Sequence, residues 1–172
     1  MAGSNSLENG GTKRNVNLAI PHEKYDAREF TNDIALIRLE EPLEFSDSIK
    51  AIPLRTKDAP TGSNVTISGW GRVSTGGAIP NDLKFNILQT IDQKECGVLT
   101  GVSHRGLICL GHSRNNGACN GDSGGSAAYE NELIGVANFV VSGCGSSNPD
   151  GYANIPFFVD WINETVKKHD KV

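Results

Sequence analysis

Apolar positions in this chain come in short runs. Val16–Ile20, Ile34–Leu39, Val65–Ser68, Leu83–Ile91, Leu107–Leu110, Ser126–Tyr129 and Leu133–Val141 each span four to nine residues, mostly rich in β-branched and aliphatic side chains. Runs of that length and make-up predict strands. Between them lie Gly-Gly, Pro80-Asn81-Asp82 and Ser147-Asn148-Pro149-Asp150-Gly151, which are turn chemistry. Many short strands with regular turns imply an all-β barrel or sandwich. The last part of the chain changes period. Phe157, Phe158, Trp161, Ile162 and Val166 recur at offsets of one, three and four, the spacing of one helix face. Pro156 suits a first helical turn, and Lys167, Lys168 and Lys171 complement the dipole at its end. The pattern predicts a helix over 156–168 that packs an aromatic face onto the β body.

Composition narrows the class. A chain of 172 residues fits one domain, or a piece of a larger β-barrel unit. With 37% hydrophobic and 21% charged residues it carries no disorder signature. A net charge of −4 argues against nucleic acid as the main partner. The longest apolar stretches, such as Ile134 to Val141, are too short to cross a bilayer. Cys96, Cys109, Cys119 and Cys144 allow either a disulfide framework or free thiols, and no Cys-x-x-Cys pair points to zinc. Two disulfides imply an oxidising compartment. The N-terminus, Met1 to Ser6, has neither the basic start nor the apolar run of an export signal. A true start upstream of Met1 reconciles the two expectations.

The chemistry concentrates in Cys119-Asn120-Gly121-Asp122-Ser123-Gly124-Gly125. A serine flanked by glycines sits on backbone that can turn sharply and admit a substrate closely. The N–H groups of Gly121 and Ser123 can point at one spot and stabilise a developing oxyanion. Asp122 beside the nucleophile calls for a positive partner if buried. The bland alternative is a glycine-rich turn with an incidental serine.

Gly121-Asp122-Ser123-Gly124-Gly125 resembles the nucleophile motif of the trypsin/chymotrypsin family of serine endopeptidases. Asn32-Asp33-Ile34-Ala35-Leu36 resembles its aspartate-bearing strand, Ser68-Gly69-Trp70-Gly71 the opening of its second barrel, and Asp160-Trp161-Ile162 its closing helix. The resemblance implies a double Greek-key β-barrel with a C-terminal helix and an incomplete first barrel. The remainder of the first barrel would span about 1–60, the second barrel about 61–155 and the helix 156–168. It implies that Ser123 attacks the scissile carbonyl, that Asp33 orients an imidazole, and that Gly121 and Ser123 form the oxyanion hole. It pairs Cys96 with Cys109 and Cys119 with Cys144. It implies no metal or organic cofactor, protein or peptide substrates, protein inhibitors, a monomer, and a secreted location.

The family's histidine lies in an Ala-Ala-His-Cys setting upstream of the aspartate, and no such segment is present here. His22, His104, His112 and His169 read as surface residues. The expected consequence is a chain that is inactive as it stands. Asp122 likewise has no evident cation, since the family supplies a cleaved amino terminus there. By resemblance Gly117 takes the base of the primary pocket and Asp150 faces it, with Asn120, Asn138, Phe139 and Val140 around the opening. A glycine at that base with an aspartate opposite is similar to broad-specificity collagenolytic proteases of crustaceans and insects. Asn138, Ser126 and Val140 depart from the commonest family residues. Asn64 and Asn163 head glycosylation sequons. Two readings compete: an incomplete secreted endopeptidase, and a non-catalytic homologue that acts as a protein-binding module. A third, a disulfide-braced β-domain unrelated to proteases, fits the motifs least.

Overall fold

The computed structural model describes residues 1–170, so the expectation for Lys171 lies outside them. Eight strands and two helices follow in order: β1 Val16–Pro21, β2 Ala35–Leu39, β3 Asn64–Gly69, β4 Lys84–Thr90, α1 Gln93–Thr100, β5 Leu107–Gly111, β6 Ser126–Tyr129, β7 Glu132–Phe139, β8 Asp150–Asn154 and α2 Ile155–His169. Strands β3 to β8 close into a barrel in the order β3-β4-β5-β8-β7-β6, while β1 and β2 form a separate antiparallel pair.

Alternation makes the barrel. Val65 and Ile67 of β3 point inward, between exposed Asn64 and Thr66. They meet Leu88, Leu110, Ala127, Ile134 and Tyr152 in one buried cluster. Two elements escaped the sequence reading. The whole of β8, Asp-Gly-Tyr-Ala-Asn, is buried, but it has no apolar alternation to announce it. Helix α1 holds Gly97 and little amphipathic pattern. Its ends carried the signal: Asp92 accepts a hydrogen bond from Glu95 N–H at 2.8 Å, and Gly101 closes the helix at φ 77°.

Helix α2 forms as predicted, with one correction. The buried stripe is Ile155, Phe158, Ile162 and Thr165, whereas Phe157 and Val166 are 46% and 44% exposed. A 3.6-residue turn rotates those two positions off the contact face. The stripe packs on Ile34, Leu36, Leu54, Leu133 and Val136, so the helix joins the β1–β2 pair to the barrel. Arg38 of β2 donates to the His169 carbonyl at 2.7 Å and caps the helix end. His22 is a further correction to the surface expectation. Its ring is buried against Phe158, stacks on Trp161 at 4.6 Å, and accepts from Lys24 N–H at Nδ1. Both cysteine pairs are bonded, Cys96 to Cys109 and Cys119 to Cys144.

Candidate active site

Ser123 is exposed on the turn between Cys119 and β6. Three backbone bonds fold that turn: Asp122 N–H to Cys119 O at 3.0 Å, Gly125 N–H to Asp122 O at 2.8 Å and Gly124 N–H to Ala137 O at 2.9 Å. Gly121 and Gly124 take φ values of 101° and 80°, where a side chain is strained. Within this folded turn the N–H groups of Gly121 and Ser123 donate to no group among the described residues. Two uncommitted donors beside an exposed hydroxyl are what an oxyanion requires.

Asp122 is half-buried and needs no cation here. Its two carboxylate oxygens accept from Gly71 N–H at 2.8 Å and Cys119 N–H at 2.9 Å. Backbone amides take the place of the positive partner expected from the sequence, because N–H donors can satisfy a carboxylate's lone pairs. The same contact explains the Ser68-Gly69-Trp70-Gly71 motif. A side chain at Gly69 or Gly71 would run into the Asp122 carboxyl. Trp70 between them donates from Nε1 to Asn81 O at 3.1 Å and fixes the segment.

A cavity of about 200 Å³ opens beside Ser123 and is lined by Asn120, Asn138, Phe139 and Val140, with Gly151 and Tyr152 deeper in. Asn138 falls where the β7–β8 register skips, between the pairs Ala137–Tyr152 and Phe139–Gly151. Such a bulge re-aims a side chain at a strand end. Gly151 has no side chain because the Phe139 ring occupies that space. Gly117 and Asp150 meet each other but do not line this cavity. Gly117 lines a larger one of about 460 Å³, together with Asp122 and Gly71.

Asp33 lies at the mouth of β2, after Asn32 with φ 52°. Burial without a compensating donor raises its pKa, and no hydrogen bond among the described residues ends on its carboxylate. Its loop reaches the cavity wall through Phe30, whose ring stands 5.0 Å from that of Phe139. Phe30, in a polar loop, gave no sign of this in the sequence. No imidazole lines the Ser123 cavity. His22 is under α2, His104 touches the Phe30 carbonyl, and His169 ends α2. His112 is the second correction to the surface expectation. Its side chain is 1% exposed and faces Asp150.

An exposed serine turn with two free amides thus sits on a closed six-stranded barrel against which a C-terminal helix packs. The trypsin family model matches residues 1–162, and the chain belongs to that family of serine proteases. It is 48% identical over 169 residues to serine protease SP24D of Anopheles gambiae, covering 98% of this chain and 61% of that relative. It is 32% identical over 143 residues to brachyurin of Leptuca pugilator, covering 82% of this chain and 63% of that one. Among solved structures, neuropsin, a serine protease of mouse brain, superposes with a TM-score of 0.91 at 29% identity, covering 95% of this chain and 77% of its own. The chain therefore spans less than two thirds of the length of the two curated relatives.

Proposed function

We propose that these 172 residues are the nucleophile-bearing part of a secreted serine endopeptidase of broad, collagenolytic-type specificity. The carrying observation is Ser123, exposed at a cavity mouth beside the two uncommitted N–H groups of Gly121 and Ser123. In the reaction Ser123 Oγ bonds to the scissile carbonyl carbon and gives its proton to a base. The C–N bond then breaks, the amine leaves with that proton, and water hydrolyses the acyl-enzyme. The base would be an imidazole outside these residues, oriented by Asp33, whose desolvated carboxylate lacks a donor. A primary pocket walled by Asn138, Phe139 and Val140 takes large apolar P1 side chains. The two disulfides support the oxidising location.

The test is turnover of peptide substrates by the full-length protein, with Ser123→Ala as control. Loss of about 10⁶ in kcat is expected on removing the nucleophile. The isolated chain of 172 residues, with no imidazole at the cavity, should label with a serine-directed phosphonate far more slowly than the full-length protein. Full-length protein that neither labels nor cleaves would favour the binding-module reading instead.

A further inference from the structure

The two sequons, Asn64-Val65-Thr66 and Asn163-Glu164-Thr165, stand in different secondary structure, and the chemistry at Ser123 uses neither. An oligosaccharide transferase must reach the asparagine amide and the hydroxyl two residues on together. Strand β3 permits this. Side chains at i and i+2 share one face of a strand. Asn64 and Thr66 are both exposed, with buried Val65 between them. Asn64 is the first residue of β3, and pairing with β6 begins only at Thr66. Its Oδ1 accepts from Gln89 Nε2 at 3.2 Å, while its Nδ2 donates to no group among the described residues. Helix α2 does the opposite. Two residues of helix turn the chain by about 200°, and Asn163 is exposed while Thr165 is buried. The β3 sequon is displayed before and after folding, the α2 sequon only before.

The face beside Asn64 carries an apolar strip that is open among the described residues. On antiparallel β4, Gln89 stands opposite Asn64, Ile87 opposite Thr66 and Phe85 opposite Ser68. Phe85 and Ile87 are 75% and 57% exposed on the outside of the barrel. Ile87 is the diagonal neighbour of Asn64 in this register, a separation of about 7–8 Å. A pyranose ring carries hydroxyls at its rim and C–H groups on its faces. It can lie on an apolar strip and stay hydrated, and a glycan is bulky and solubilising.

We propose that Asn64 is an N-glycosylation site, that its first sugars lie over Ile87 and Phe85, and that Asn163 stays unmodified. This rests on the secreted reading, because the modification belongs to the export pathway. In the transfer, Asn64 Nδ2 gives one proton to a base of the transferase and bonds to C1 of the first sugar. The bond from that C1 to a lipid-linked diphosphate breaks, and the diphosphate leaves with the electron pair. Nothing is oxidised or reduced.

For the test, the full-length protein is expressed in insect cells behind a heterologous export signal. Its peptides are mapped by mass spectrometry before and after enzymatic removal of N-glycans. The Asn64 peptide should carry an N-glycan and the Asn163 peptide none. Asn64→Gln and Thr66→Ala should each abolish the glycan, and Thr66→Ser should keep it. Hydroxyl-radical footprinting reads the cover. Oxidation of Phe85 should rise severalfold in Asn64→Gln, with Phe45, 70% exposed, as the internal reference. Enzymatic removal of the glycan from the folded protein should give the same rise, whatever the substitution does to folding. A parallel culture keeps the protein's own upstream sequence and asks whether it reaches the medium. If it does not, the secreted reading fails while the first culture still decides the site. An unmodified Asn64 in exported protein, a glycan at Asn163, or equal Phe85 oxidation with and without the glycan overturns the proposal.

Discussion

The β3–β8 barrel and the β1–β2 pair grow from the same kind of sequence, short apolar runs between turns, and reach different states. Inside the barrel Val65, Leu110, Ala127 and Ile134 are 0% exposed, while at alternate positions of β4 Phe85 and Ile87 stay 75% and 57% exposed. In and around the pair, Ile37 is 63%, Val16 52% and Phe45 70% exposed. Closure accounts for the contrast. Each barrel strand has two neighbours and a shared interior. Among the described residues the pair has no third strand, and Ile34 and Leu36 meet α2. Apolar content licenses burial, and topology decides which residues obtain it.

The sharpest way to break this comparison is to truncate one residue from each region. Leu110→Ala in the barrel should cost about 2–5 kcal/mol, the transfer loss plus the cavity left behind. Ile37→Ala on the open face should stay within about 0.5 kcal/mol. Urea unfolding of the 172-residue chain measures both. Equal losses would mean that the open face is covered in solution.

What the sequence revealed divides along the same line. Strands with clear apolar runs, the nucleophile turn and α2 were readable, because periodicity and glycine placement are local signals. β8 was not, since a strand buried on both faces need not alternate, and Asp150 and Gly151 read as a turn after Pro149. Asn120, Asn138, Phe139 and Val140 were named through the family resemblance and line the Ser123 cavity, whereas Gly117 and Asp150, named in the same way, do not. His112 was misread, because its environment is made by Asp150 from a strand 38 positions further along the chain, and no local pattern encodes that meeting.

A smaller effect separates the two regions by pH. The folded-state pKa of His112 is raised, so its contribution to stability is complete below the unfolded value of about 6.5 and is lost as pH rises through the folded value. Unfolding free energy of the chain should therefore fall over that interval, and His112→Gln should flatten the slope. Denaturant midpoints measured across neutral pH would check this. A slope unchanged by the substitution would place the responsible group elsewhere.

The smallest expected effect concerns α1, which belongs to neither region's core except through its cysteine. Only Cys96 of this helix is buried, beside Cys109 and Leu107. Eight residues are too few to hold a helix by propensity alone. Its stability must come from the disulfide and from its ends. Asp92 supplies the first by accepting from Glu95 N–H, and Gly101 supplies the last through its N–H to the Gly97 carbonyl at 3.0 Å. Removing the cap with Asp92→Ala should cost about 1 kcal/mol. Asp92→Asn, which keeps an acceptor, should recover most of it. The loss should appear as faster amide exchange in residues 93–100, with barrel amides unaffected, because the disulfide still anchors Cys96. If barrel amides exchanged faster to the same extent, α1 would be part of the barrel's cooperative unit, and the boundary of the stable region would have to move outward to include it.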